Sequence, residues 1–243
     1  MTVRTYRKIH RWLGLVVGIQ LLFWTVGGLF FSLNPIAKVR GETEEPEAPP
    51  LEFTTPPASP AGALSELLLD HPQAEIRSVL LRHHPDGAVY EITFLEDEEP
   101  HWALAEVSTG ELRSTVDRGE AQEIARQEYA LESPIADVTL ITETSSGSEY
   151  RDRPLPAYRV TFDDSLGTRL YVSIERGAVT ARRNDRWRVF DFLWMLHIMD
   201  YQTRDNFNTI LLQAVSALGL VTVLSGFVLA GLTSPRLRRL ADR

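Results

Sequence analysis

The sequence predicts an α+β protein whose mixed domain is flanked by two membrane-crossing helices. Three observations carry that expectation. Two uncharged apolar runs, 12–33 and 210–232, lie near the ends of the 243-residue chain. Each has the roughly 20 residues that a helix needs to span the hydrocarbon layer. Between them, an amphipathic helical pattern followed by strand patterns occurs twice. Charge is also segregated: residues 34–205 hold 17 basic against 32 acidic side chains, whereas both ends are basic. The whole-chain mean hydropathy of −0.13 hides this segregation.

Taken in order, residues 1–11 form a basic N-terminus with Arg4, Arg7, Lys8 and Arg11. Residues 12–33 form the first transmembrane helix. A signal peptide has an apolar stretch of about 7–15 residues followed by a small-residue cleavage site. Here a longer run leads into LNPIAKVRG, so a retained anchor is expected. Residues 34–62 form a linker rich in Pro and Glu, a composition that favours an extended, semi-rigid chain.

The mixed domain reads as two repeats, 63–114 and 115–185. Tyr90-Glu91-Ile92-Thr93-Phe94 matches Tyr158-Arg159-Val160-Thr161-Phe162. A further strand and a glycine turn, Gly110 or Gly177, follow each match. Ahead of each lies a short amphipathic helix, marked by Ala63, Leu64, Leu67 and Leu68 or by Ala121, Ile124, Ala125 and Tyr129. The unit is one helix and three antiparallel strands, and the second copy carries an insert at 145–156. Residues 186–205 read as an interfacial aromatic helix with Trp187, Trp194 and Tyr201 at headgroup depth. The second transmembrane helix, 206–232, and a basic tail, 233–243, complete the chain.

Basic flanks stay on the cytoplasmic side of a membrane. Both ends are therefore expected in the cytoplasm, with the acidic middle across the bilayer. An acidic middle without a basic stripe argues against nucleic acid. No cysteine occurs, which excludes disulfides, iron–sulfur clusters, thiolate zinc sites and a cysteine nucleophile. Hydrolase and phosphate-loop signatures are lacking, so no catalytic acid, base or nucleophile is assigned. His71, His83, His84 and His101 read as solvated loop residues without metal-ligand spacing, and Glu96–Glu99 as a solvated charge run. Gly14 and Gly18, and the row Thr222, Gly226 and Ala230, are small residues that permit close helix approach. They read as packing the two spans together, with helix-mediated dimers as the alternative. Gln20 and Gln213 read as interhelical hydrogen-bonding residues.

The run Arg7-Lys8-Ile9-His10-Arg11-Trp12-Leu13-Gly14 resembles the opening of PepSY-associated transmembrane proteins. The doubled helix-plus-strands unit is similar to tandem PepSY domains, and Arg153–Val160 and Asp191–His197 also fit that family. The resemblance implies a bacterial inner-membrane protein with its main domain in the periplasm. It implies an accessory, partner-binding role, with b-haem electron transfer for iron (siderophore) reduction as its chemistry. His10 and His197 are the haem ligands this reading offers, because neutral imidazole is the axial ligand left to a chain without cysteine. The bland roles are lipid contact for His10 and a bond to Asp191 or Asp200 for His197, with Asp200 three residues on able to orient the ring. A 22-residue span rises about 33 Å, so the two histidines cannot ligate one iron. Haem ligation then requires a homodimer or a partner membrane subunit. Reductases of this kind commonly have four spans and this chain has two, which implies a subunit rather than a self-sufficient enzyme. Other PepSY domains inhibit or chaperone peptidases. The alternatives are therefore a tethered modulator of a periplasmic peptidase and a scaffold in an envelope complex.

Overall fold

The computed structural model describes residues 2–53 and 55–233. All but Thr233 of the expected basic tail lies outside the described residues. The elements in order are α1 (Val3–Leu33), α2 (Ile36–Arg40), a 3₁₀ turn (Glu42–Glu44), α3 (Ala61–Asp70), β1 (Glu75–His84), β2 (Gly87–Glu96) and β3 (Glu99–Glu106). Then follow α4 (Arg118–Gln127), β4 (Ile135–Ile141), β5 (Ala157–Phe162), β6 (Arg169–Ser173), β7 (Ala178–Arg183), α5 (Asp185–Ile198) and α6 (Ile210–Thr233). They divide into two compact units, residues 1–36 with 188–243 and residues 37–187.

The helical unit is built on α1 and α6, both long and apolar enough to cross a membrane. α1 starts nine residues before the apolar run. Nothing among Arg4, Arg7, Lys8 and Arg11 breaks a helix, and the Thr2 hydroxyl caps it by accepting from the Thr5 amide at 3.3 Å. Val17, Gln20 and Gly27 of α1 and Gly219 and Thr222 of α6 are buried. Most other large apolar side chains of both helices, Leu15, Ile19, Leu22, Val223 and Phe227 among them, are exposed. From Arg188 on, α5 packs against α1 through aromatic rings, with Phe31 4.8 Å from Phe190 and 6.0 Å from Trp194. α5 ends at Ile198, short of the expected 205. Met199 takes a left-handed φ of 54°, and Asp200 gathers the backbone amides of Gln202, Thr203, Asp205 and Asn206 into a tight loop. Although burial works against its charge, these bonds hold the Asp200 carboxyl well below the usual carboxylate range.

The mixed unit holds two antiparallel sheets, β1-β2-β3 and β4-β5-β6-β7. The matched pentapeptides form the corresponding strands β2 and β5. Ile92 and Phe94 are buried in one core, Val160 and Phe162 in the other. α3 buries Ala63 and Leu67 in the first core, and α4 buries Ala121, Ile124 and Ala125 in the second. The apolar spacing that predicted the helices is thus the face that packs. The second repeat has four strands, not the expected three. β7 continues the sheet beyond the Gly177 turn, whereas the segment after Gly110 makes one bridge, Leu112 to Ala105. The linker also departs from the expected extended form at its start: α2 and the 3₁₀ turn fold, Val39 is buried, and Ala130 N donates to Glu44 O at 2.8 Å.

Candidate functional site

The two histidines singled out by sequence both belong to the helical unit, at different levels of α1. His10 Nδ1 lies 2.6 Å from Ser225 Oγ on α6. Ser225 has one hydroxyl proton, and Thr222 O accepts it at 2.8 Å. The bond to His10 therefore needs Nδ1–H as the donor, which leaves the lone pair of a neutral ring on Nε2. Space for the ring comes from Gly226, where an added Cβ would fall 3.3 Å from His10 Cε1.

His197 is in the last turn of α5. Its ring lies parallel to Trp194 at 6.2 Å and edge-on to Phe31 at 5.8 Å. Trp24 Nε1 donates to its carbonyl at 2.7 Å, and Gln20 Nε2 donates to Leu196 O at 2.8 Å. Gln20 thus makes the interhelical hydrogen bond expected of it, and it ties α1 to α5. The Nδ1 of His197 is buried without a hydrogen-bond partner and faces Gly27, whose added Cβ would come within 3.8 Å. The expected bond from Asp191 or Asp200 is not made. Arg204 Nη1 donates to Asp191, and the left-handed Met199 turns Asp200 into its own loop. The 17 residues from His10 to Gly27 amount to about 26 Å of helix, so no single iron reaches both histidines of one chain.

The small-residue rows divide. Gly219 and Gly226 of α6 lie against Val17 and His10, but an added Cβ at Gly14 or Gly18 would meet nothing within 4 Å. That face of α1 is open, and the expected packing of the row between the two spans is not formed. Gln213 is local, with its amide 3.5 Å from Asn208 O.

In the mixed unit, His84 corrects the expectation of a solvated loop histidine. It closes β1 opposite Gly87, and its side chain is fully buried. Arg113 explains why. Its guanidinium bonds Asp86 at 3.1 Å, Glu106 at 2.9 Å and Glu120 at 2.5 Å, and it lies 3.4 Å from His84 Nδ1. Burial above all, then Arg113 and Arg82, push the His84 imidazole down to about 4. Burial pushes the Glu120 carboxyl up, against the pull of Arg113. Ligand atoms of His84, Asp86 and Glu120 lie within 4.8 Å of one another, but the Arg113 guanidinium already serves as the cation that bridges both carboxylates.

A second polar cluster joins the repeats. Glu91, 3% exposed, accepts from Arg82 Nε at 3.0 Å and Arg176 Nη2 at 2.9 Å. Arg82 also donates to the carbonyls of Arg176 and Gly177. Sequence reasoning missed this clamp, because Glu91 alternates with Ile92 and Phe94 and so reads as facing away from their core. Near the start of α5, Arg183 lies 4.1 Å and Arg151 5.8 Å from the Trp187 ring centre. Arg151 of the insert and Arg183 of β7 thus lie over the chain's own indole.

A family model for the PepSY-associated TM region matches residues 7–241, nearly the whole chain. No curated protein and no solved structure matches.

Proposed function

The chain belongs to the PepSY-associated TM family and is a two-pass membrane protein, and on that premise we propose that it is an accessory subunit of the bacterial inner membrane. Its mixed unit binds a partner in the periplasm, and its helical unit contributes axial imidazoles to b-haem shared with a second copy or a partner subunit. The basic N-terminus and the acidic 34–205 region support that orientation.

The observation that carries the haem reading is the hydrogen bond from His10 Nδ1 to Ser225. It fixes the ring and its tautomer and leaves the lone pair on Nε2, beside Gly226 of α6, as the ring's ligand position, which is how ligating histidines are usually braced. The partnerless buried nitrogen of His197, in its aromatic cage, supports a second such position. One chain supplies one imidazole at each level. The complementary ligand then comes from another chain, and the open Gly14–Gly18 face allows close approach of another helix. Haem held there would supply one-electron transfer, suited to reducing ferric siderophores. The protein's own share is to hold the neutral imidazoles, exclude water with Phe31, Trp24 and Trp194, and keep the two positions about 26 Å apart along α1.

The test is an optical spectrum of the detergent-purified protein before and after dithionite, with iron counted per chain. A Soret band with a sharp reduced α band is expected, diminished by at least half in His10→Ala and in His197→Ala. Ser225→Ala is expected to keep haem but shift its potential. A protein that stays colourless when expressed with added haem overturns the haem reading. It would then promote the tethered modulator of a periplasmic peptidase, or a scaffold in an envelope complex.

A further inference from the structure

α4 and the strand that follows it bound an open groove of about 420 Å³. β4 is the end strand of its sheet: β5 pairs with one edge, and no strand pairs with the other among the described residues. An uncovered edge offers amides and carbonyls that an extended chain can complete. β4 is regularly paired with β5 from Asp137 to Ile141, with a register shift between Ile135 and Asp137. Val138 anchors it in the core at 7% exposure, while Ala136 and Asp137 are open to the groove side.

The helix wall gives the groove its sign. Arg118, Gln122 and Arg126 follow one another at spacings of four, a single row along α4. The row is about 12 Å long, the length of roughly four residues of extended chain. Both arginines are exposed, and among the described residues the ion-pair partner of Arg126 is the half-exposed Glu123 of its own helix at 3.3 Å. The groove's carboxylate, Asp137, is already engaged by the Thr139 hydroxyl at 2.5 Å, with Arg159 at 3.8 Å. This cationic row stands in a region that carries 15 more acidic than basic side chains. An acidic chain is repelled by most of that surface and attracted here, which is how charge confers register and specificity.

We propose that the α4–β4 groove captures an acidic, extended segment of a periplasmic partner protein, which adds to β4 as a further strand and sets its carboxylates on Arg118 and Arg126. This rests on the partner-binding reading above and gives it a surface; it does not depend on haem.

The experiment uses the full chain in detergent and fluorescein-labelled decapeptides of alternating Glu and Thr. Controls are the Lys–Thr decapeptide and a Glu–Thr decapeptide with alternate amides N-methylated. Saturable binding of the acidic peptide is expected, weakened at least tenfold by N-methylation. It is also weakened at least tenfold by the double substitution Arg118→Glu and Arg126→Glu, which should turn preference to the Lys–Thr peptide. Both residues are on the exposed face of α4, and circular dichroism checks that the variant folds. Absent or charge-indifferent binding overturns the proposal. So does equal binding of the N-methylated peptide, which would mean charge attraction without strand pairing. An oligomer in the unmodified chain that the double variant dissociates would give the groove to a second copy instead. The haem spectrum of the same preparations reads the membrane half of the proposed function independently. Failure of the groove is thereby separable from failure of the haem reading.

Discussion

Glu91 and His84 are both polar side chains buried on the first sheet, and their surroundings differ. Glu91 is held between two guanidiniums, so its charge is compensated where it stands. His84 is surrounded by Arg113 and Arg82 on the cationic side and by Asp86 and Glu120 on the anionic side, and burial keeps it neutral. Its folded pKa is about 4, below the roughly 6.5 of an exposed imidazole. The fold therefore prefers the neutral ring. The stability this contributes is complete above pH ~6.5 and is lost as pH falls toward 4. Glu120, raised by burial, has the opposite sign and favours the fold less as pH rises past the ordinary carboxylate range. Melting midpoints of the detergent-solubilised protein between pH 7.5 and 4.5 should fall, and His84→Gln should flatten that fall. A variant whose pH profile superimposes on the unmodified protein's would show that His84 is not the titrating group.

Among the elements, the most legible were those whose pattern and packing coincide. Tyr90–Phe94 and Tyr158–Phe162 alternate with period two, and the residues that alternate inward, Ile92, Phe94, Val160 and Phe162, are the ones buried. β7 was not legible, because Ala178–Arg183 ends in two arginines and reads as polar. In the structure Arg182 pairs with Glu128, and Arg183 donates to the Glu149 carbonyl, so tertiary partners 34 and 54 residues away make the strand. Likewise the burial of His84 comes from Arg113, and the bracing of His10 comes from a serine 215 residues on. His10 and His197 could be singled out as candidates by type and place, but the partners that brace or cage them could not. The β6–β7 turn depends on Gly177, with φ of +53° and an added Cβ only 2.6 Å from Leu104 Cδ1 and 3.1 Å from Val116 Cγ2. A side chain there meets both left-handed strain and the second core. Gly177→Ala should destabilise the protein by about 2–4 kcal/mol as read by chemical denaturation, whereas Gly147→Ala, in open space within the insert, should change little.

At the scale of the whole molecule, the distribution of charge and the two-helix architecture make one joint demand. A pair of apolar helices at the two ends of the mixed region places both chain ends on the same side of a bilayer. The basic residues beside α1 favour the cytoplasm, and the orientation proposed above would require the 37–187 unit to be translocated. That unit carries its own two cores and two sheets, as a domain folding on the far side requires. The lack of native cysteine makes the orientation directly measurable. Ser146→Cys lies on the exposed insert and Thr5→Cys on the exposed first turns of α1. In intact spheroplasts, a membrane-impermeant maleimide should label Ser146→Cys and leave Thr5→Cys unmodified until the membrane is permeabilised. Labelling in the reverse order would put the mixed unit in the cytoplasm. It would remove the periplasmic partner, and with it the acidic-segment assignment of the α4–β4 groove. Labelling of both sites before permeabilisation would mean that α1 and α6 do not seal the chain across the bilayer. The positions of His10 and His197 would then have no transmembrane sense. With the expected order, the two imidazole levels of α1 lie toward opposite faces of the membrane, as electron transfer across it requires.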